Sequence, residues 1–509
     1  MRSLRKCSGK RWPGLKIEPS TLNIENSNLK LRTARTLKWN TIDRVSSQLL
    51  YAVTGIVLAN LLSKEDFGLV GALLVFQAFG ILFVDSGFGS ALLQKKNPDK
   101  RDFSTVFWFN LSVSIIVYWA LYFFAPVIAD IFQGDRRLIP LSRVMFLSFV
   151  FNGLSMVQTT RLMKEMNVRQ IAVANIVGLT VSGLIGIWLA LTGYGPWALV
   201  WQTVSLAIVK SAWLWVTGKW APQLCFSLES IKQIWRVGLS VFSSSALNTF
   251  FLYIYSFVIG AFYNLSSLGV YTQADKWSKM GSASISQILT ASFVPLLAKF
   301  QDDGDNFRRY VSKINRFASF ILFPAMLGIA TVGAPLFHTL FGTKWDSAII
   351  LFQILCVRGI FVVLISLYTN YLLALGYAKK LFMVEVIKDA FIFIAIMATV
   401  WFESVPILVW GQLGASLLTY AIVLGISGKS TGIGATRMLR DLIPYCFMAL
   451  IACVAAYISI YIIAVPVLQL LVMLAIGGAV YVMLSKLSGL GELGEAAGYV
   501  FGRFRKKFQ

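Results

Sequence analysis

Long apolar runs, each about the length needed to cross a bilayer, follow one another along this chain, and the second half of the series echoes the first. Leu58–Leu69 reads LANLLSKEDFGL, and Ile259–Val270 reads IGAFYNLSSLGV. Each leaves one apolar segment, crosses a short polar break and enters another through a Phe-Gly or Leu-Gly pair. The echo continues in Ala125–Gly134 (APVIADIFQG) against Ala334–Gly342 (APLFHTLFG), and in Leu199-Val200-Trp201 against Leu408-Val409-Trp410. The offset stays near two hundred to two hundred and ten residues, which points to a duplicated bundle. In hydrocarbon the backbone must satisfy its own hydrogen bonds, so the spans are helices or a closed barrel. Runs of about twenty residues select helices. Two similar bundles with a site between them are the layout of membrane carriers.

Composition excludes a soluble domain of this length. The chain is 57% hydrophobic, only 14% charged, and its mean hydropathy is +0.71. Tryptophans stand at span ends (Trp39, Trp108, Trp197, Trp220, Trp345, Trp401), as in an aromatic belt at the lipid–water boundary. The expected fold is an all-α polytopic membrane protein of about fourteen helices. Their expected ranges are about 42–62, 67–91, 104–127, 141–160, 170–192, 196–217, 236–262, 268–297, 315–340, 347–374, 381–402, 405–427, 441–463 and 466–487. Six make an N-lobe within 39–218 and six a pseudo-symmetric C-lobe within 219–430. Two further helices occupy 431–487, between a basic extension at 1–38 and a basic tail at 488–509. Ile17–Leu31 is polar and is expected to stay unfolded. Gly80, Pro126, Pro295, Pro324 and Pro335 predict bent helices.

Lysine and arginine set the expected orientation. The N-terminal segment, alternate loops (Lys95, Lys96, Lys100, Arg101; Lys299, Arg308, Arg309, Lys313) and the tail are basic. The intervening loops are short and poorer in basic residues, which places both termini in the cytoplasm. The net charge of +23 is spread over many short loops on one face, so it fits anionic headgroups and not nucleic acid. Residues 1–38 lack an apolar core of the signal-peptide kind.

Chemical motifs are sparse. The five cysteines (Cys7, Cys225, Cys356, Cys446, Cys453) lack metal-ligand spacing and read as small core residues. There is no phosphate-binding GxxxxGK[ST] loop, no HExxH, and a single histidine, His338, near a span end. No cofactor or metal is expected, and enzymatic chemistry has no support. What stands out is charge inside the spans, where an ionisable group costs about 2.5–3.5 kcal/mol on insertion scales. Arg44, Asp85, Arg161, Lys210, Asp275, Lys276, Lys279, Arg358 and Lys388 are the candidates for a substrate path. Arg44 and Arg161 lie close enough to the inner surface to snorkel, and Lys388 can neutralise Glu385 or Asp389 within a turn. Lys276 and Arg358 are deeper. Cations predominate, so a cavity built on them favours an anionic cargo. Asn248, Tyr253, Tyr255, Gln273 and Trp277 are polar or aromatic candidates for sugar contacts, and each is equally a packing residue.

Two stretches carry a resemblance. Leu61–Leu69, followed by Val84-Asp85-Ser86-Gly87-Phe88-Gly89 and Ala91-Leu92-Leu93-Gln94, resembles the polysaccharide transporter (Wzx-type) flippases of the multidrug/oligosaccharidyl-lipid/polysaccharide exporter superfamily. Leu268-Gly269-Val270-Tyr271 and Leu373-Ala374-Leu375-Gly376 look like the matching places in the second half. The likeness covers about 35–430 and leans toward exporters of colanic-acid-like and teichuronic-acid-like units. It implies two lobes in a V, with helices one, two, seven and eight lining a cavity and alternating access to a lipid-linked anionic oligosaccharide. It implies an undecaprenyl-pyrophosphate carrier, the bacterial inner membrane, and work beside a polysaccharide polymerase and export machinery. A drug/cation antiporter on the same fold would want an acidic cavity and usually twelve spans. A membrane polymerase would want longer outer loops than these.

Overall fold

The computed structural model describes residues 19–489, apart from 219, 301, 302, 462 and 464. The first eighteen residues of the basic extension, and the tail from 490, lie outside the described residues. The long helices are α1 (Pro19–Leu61), α2 (Lys64–Gln94), α3 (Lys100–Ile131), α4 (Leu138–Lys164), α5 (Val168–Leu191), α6 (Trp197–Gly218) and α7 (Leu228–Phe262). They continue with α8 (Leu265–Ala298), α9 (Gly304–Thr331), α10 (Thr343–Ala374), α11 (Ala378–Thr399), α12 (Val405–Thr431), α13 (Ala435–Tyr461) and α14 (Pro466–Leu487). Eleven are long and apolar enough to cross a membrane. The other three, α1, α8 and α11, are long enough but too polar to meet that measure, and they carry most of the charges singled out above.

The duplication is visible in the packing. In the N-lobe α4 is central and touches α2, α3 and α6; in the C-lobe α10 touches α8, α9 and α12 in the same way. α5 pairs with α6 as α11 pairs with α12. One contact breaks the symmetry. α1 lies along α5 of its own lobe, whereas its counterpart α7 lies along α2 of the other lobe and barely touches α11. α13 packs on α9, and α14 on α13, with the Tyr481 hydroxyl donating to the Phe320 carbonyl at 2.9 Å.

The polar breaks between spans are helix caps. Ser63 Oγ accepts from the Asp66 N–H while the Asp66 carboxylate accepts from the Ser63 N–H, which starts α2 immediately after α1 ends. Asn264 Oδ1 does the same work for α8, accepting from the Ser267 N–H at 2.7 Å.

Four features differ from the expected spans. Pro19–Leu31 is helical and continuous with the first span, so residues 19–38 extend α1 instead of lying apart from it. The second span breaks at Ser86-Gly87, both left-handed, before a short last piece Phe88–Gln94. The fourth begins a turn early and is broken at Phe146-Leu147. The ninth breaks at Val332, and Gly333–Phe341 forms a separate short helix. Pro335 sits in the first turn of that helix, where its missing N–H has no intrahelical acceptor to lose. Pro126 and Pro324 stay inside continuous helices.

Candidate functional site

The lobes are sealed to each other at one end, where α1 turns into α2 and α7 into α8. There α2 and α8 cross backbone against backbone. A β-carbon on Gly68 would stand 1.8 Å from the Leu265 carbonyl oxygen, and one on Gly269 would stand 1.8 Å from the Lys64 carbonyl oxygen. Gly68 and Gly269 are the equivalent glycines of the two repeats, so a single pseudo-twofold crossing requires both. Around it Trp345, 1% exposed, donates Nε1–H to the Ala59 carbonyl at 3.0 Å. Asn60 donates to the Leu340 carbonyl at 2.7 Å, Lys64 to Ser347 at 3.1 Å, and Lys344 to the Leu62 carbonyl. Gln133 of the N-lobe donates to the Tyr263 carbonyl. Beside the seam the Arg137 guanidinium bridges Asp135 and Glu65 and holds the Asp135 carboxyl below its usual range. Toward the opposite end the lobes touch again. The break in α2 sets Gly87, at φ +71°, against the Gly238 carbonyl of α7, where a β-carbon would be 2.3 Å from that oxygen.

Between these contacts lies Lys276. It is eleven residues into α8, about 16 Å along the helix, which is about half the roughly 30 Å of hydrocarbon. Its Nζ lies against the bare α-carbon of Gly55 on α1, where a β-carbon would come within 2.6 Å, and 5.6 Å from the Trp277 ring centroid. Among the described residues no carboxylate pairs with it. Its neighbours do pair: Lys279 Nζ meets Asp275 Oδ2 at 2.6 Å one turn along, while Asp275 Oδ1 is buried without a partner. The equivalent α2 residues are Leu74, Val75 and Ala78, so the duplicated scaffold carries these charges in one lobe only.

The other candidates divide. Arg358 is half-buried in the C-lobe, where its Nε–H donates to Ser416 Oγ at 3.2 Å. Its charge reaches the Tyr255 and Tyr271 hydroxyls, and Gln412 Nε2 faces the Tyr271 oxygen at 3.5 Å. Lys210, in α6, lines a cavity of about 530 Å³ in the N-lobe. Beside the same cavity, Asp43 of α1 accepts from Asn175 Nδ2 at 3.1 Å. Arg44, the adjacent residue, is exposed: one position along a helix turns a side chain by about 100°. The Asp85 carboxylate lies across the break in α2 beside Gly89, where a β-carbon would stand 3.1 Å from Asp85 Oδ1. Lys388 pairs with Glu385 and lies 3.8 Å from Asp389, all on α11. Arg161 donates to the Gly218 carbonyl at 2.7 Å and meets Glu165 at 3.3 Å, closing the last turn of α6. Arg161→Ala is therefore expected to lower stability by about 1–3 kcal/mol and to leave transport per folded molecule unchanged. Thermal unfolding alongside abundance-normalised transport checks this.

Of the uncharged candidates, Tyr253 reaches the N-lobe cavity from α7. Gln273 is 2% exposed and accepts from the Trp277 Nε1–H in its own turn, and Tyr255 is buried. Asn248 is exposed. Four amides outside both sets of candidates, Gln77, Asn152, Asn175 and Gln202, each interrupt a different apolar span and each line the same cavity. Their signal was available: an amide in hydrocarbon also needs a partner.

A family profile described as polysaccharide biosynthesis protein matches residues 57–350. The teichuronic acid biosynthesis protein TuaB of Bacillus subtilis is 24% identical over 404 residues, covering 77% of this chain and 83% of its own length. The succinoglycan biosynthesis transport protein ExoT of Rhizobium meliloti is 24% identical over 466 residues, covering 88% of this chain and 92% of its own. The fold is that of the lipid II flippase MurJ in an inward closed conformation, with a TM-score of 0.73 at 15% identity over 88% of this chain and 98% of that one. The profile spans the sealed crossing, the charged stretch of α8 and most of the N-lobe cavity lining, and on that match the chain belongs to the polysaccharide biosynthesis protein family, as a multi-pass membrane protein.

Proposed function

We propose that this protein carries a lipid-linked anionic oligosaccharide across the bacterial inner membrane by alternating access, as a transporter without chemistry of its own. The observation that carries the reading is Lys276: a cation at mid-depth, between the lobes, with no carboxylate paired to it among the described residues. Such a charge is costly in hydrocarbon unless a partner arrives, and the anionic linkage of the cargo, an undecaprenyl pyrophosphate by the resemblance, is that partner. The lipid tail stays in the bilayer while the headgroup passes between the lobes. The names of the relatives TuaB and ExoT, and the MurJ-like fold, support a saccharide cargo. The basic loops set the sealed end outward and both termini in the cytoplasm, so the seam of Gly68 and Gly269 is the outer gate. A polymerase and export machinery would take the product outside.

The test is leaflet accessibility of a lipid-linked oligosaccharide in proteoliposomes with and without the protein. Protein-dependent transfer with unchanged chain length is expected. No transfer across several sugar structures and imposed ion gradients would overturn the reading, and a lengthened product would favour a polymerase.

A further inference from the structure

At the end that the reading above places in the cytoplasm, the N-lobe carries a basic pocket outside the transport path. We infer that this pocket binds the headgroup of an inner-leaflet phospholipid with two phosphodiesters, held by Arg35, Lys38 and Arg169 beside Trp39. Only the choice of leaflet rests on the reading above.

The pocket, about 590 Å³, lies where α1 meets the turn between α4 and α5. Arg35, Lys38 and Trp39 are three and four residues apart, so α1 presents them on one face. Met166, in the turn opposite, is left-handed at φ +56°, and its carbonyl accepts from the Thr36 hydroxyl at 3.2 Å. That bond fastens the turn to α1. Arg169 follows in the first turn of α5, its guanidinium carbon 5.5 Å from the Trp39 ring centroid. The ring holds this cation at the pocket. Among the described residues no carboxylate pairs with Arg35, Lys38 or Arg169. The acids nearest in the chain are engaged elsewhere: Glu165 meets Arg161 at 3.3 Å, and Asp43 accepts from Asn175 at 3.1 Å. Asn167 precedes α5 without a side-chain capping bond, which leaves its amide N–H groups to donate.

Depth and direction identify the ligand. Gly55, against Lys276, marks mid-depth on α1, and Trp39 lies sixteen residues before it, about 24 Å along the helix. Half a bilayer with its headgroups is about 20–22 Å, so these cations stand at the level of lipid phosphates. At about 100° per residue, Trp39 and Arg35 sit about 160° and 200° around α1 from Gly55. They face away from Lys276 and from the space between the lobes, so the cargo linkage is not their partner. Three cations exceed the single charge of a one-phosphate headgroup. Two phosphodiesters match them better, and each can take paired bonds from a guanidinium, one on α1 and one on α5. Basic pockets between helices on the cytoplasmic side suit such headgroups. The duplicated fold does not require the cluster: α7 carries Leu239 and Ser240 where α1 carries Lys38 and Trp39, and it barely touches α11.

The experiment titrates delipidated full-length protein with diphosphatidylglycerol, phosphatidylglycerol and inorganic pyrophosphate at constant ionic strength, and reads binding by native mass spectrometry. The wild type should bind diphosphatidylglycerol at least about fivefold more tightly than phosphatidylglycerol, the share of one cation beside anionic lipid. The triple variant Arg35→Gln, Lys38→Gln, Arg169→Gln should weaken it about a hundredfold, at about a factor of five per cation. A second triple, Lys96→Gln, Lys100→Gln, Arg101→Gln, removes the same charge from an exposed stretch of the same basic face. It should change the affinity by no more than about twofold, because exposed charges beyond a Debye length are screened. Should the pocket triple fold poorly, Lys38→Gln alone carries the test, with an expected loss of about fivefold. Equal losses in the two triples would make the pocket part of a diffuse basic surface and overturn the proposal. Equal affinity for the two lipids overturns it too, as does displacement of the lipid by pyrophosphate, which would mark a site for soluble anions. A cysteine at Asn40 should label only from the cytoplasmic side, and labelling from outside overturns the choice of leaflet. Translocation on the same preparations separates the two readings. Pocket-dependent lipid binding without transfer removes the flippase reading alone, and transfer without pocket-dependent binding removes the lipid site alone.

Discussion

Gly68→Ala and Gly269→Ala should each prevent the outer end from closing and should reduce transport at least tenfold. The added β-carbon would fall 1.8 Å from a backbone carbonyl oxygen of the opposite lobe. A carbon–oxygen contact tolerates about 3.3–3.6 Å, so the backbones must part by roughly 1.5 Å or more. The obstacle is main chain on both sides, so no side-chain rotation relieves it. Parting the crossing also pulls on the contacts around it, Trp345 to Ala59 and Asn60 to Leu340. Because both glycines serve one crossing, the double variant should be little worse than either single one, a failure of additivity that marks shared geometry. A single cysteine placed at Ser266 should label faster from outside in both variants than in the wild type. Wild-type labelling and transport in Gly68→Ala would show that the crossing is not the gate.

Lys276→Met should abolish transport and, at the same time, stabilise the protein by about 1–3 kcal/mol. The two effects have one cause. An unpaired ammonium at mid-depth costs about 2.5–3.5 kcal/mol on insertion scales, and an apolar chain of similar length removes that cost. If the charge serves the cargo, its loss costs function and not stability. Lys279→Met is the control: it leaves Asp275 without its cation, 2.6 Å away in the wild type, and should destabilise. Transport and thermal unfolding measured on the same preparations decide between the roles. Normal transport in Lys276→Met at wild-type abundance would sink the cationic-path proposal, and a fall in stability would make Lys276 a structural residue.

Much of the scaffold was legible because its cause is local. Hydrocarbon forces each segment to satisfy its own backbone, and the repeat of Phe67-Gly68 in Leu268-Gly269 announced two related bundles. Breaks inside spans were harder. Pro335 was visible, yet a proline in hydrocarbon can sit within a continuous helix or begin a new one, as Pro324 and Pro335 respectively do. The site was legible as a set of charges but not as a set of partners. Asp275, Lys276 and Lys279 stand within two turns, and helical spacing allows Asp275 to meet Lys279 without saying what becomes of Lys276. Arg44 was favoured over Asp43, although it is Asp43 that turns toward Asn175.

By itself the sequence determined a duplicated helical membrane bundle with more cations than anions in its interior. Span length, backbone self-sufficiency and the cost of charge in hydrocarbon act residue by residue and need no knowledge of neighbours. Only the tertiary structure decided that Lys276 rests unpaired on Gly55, that four amides from four helices line one cavity with Lys210, and that two glycines some two hundred residues apart share one crossing. Each of these depends on how helices are rotated and how closely they approach. A turn of about 100° per residue separates a lining side chain from one facing away, and the contacts that choose among these rotations come from segments remote in the chain.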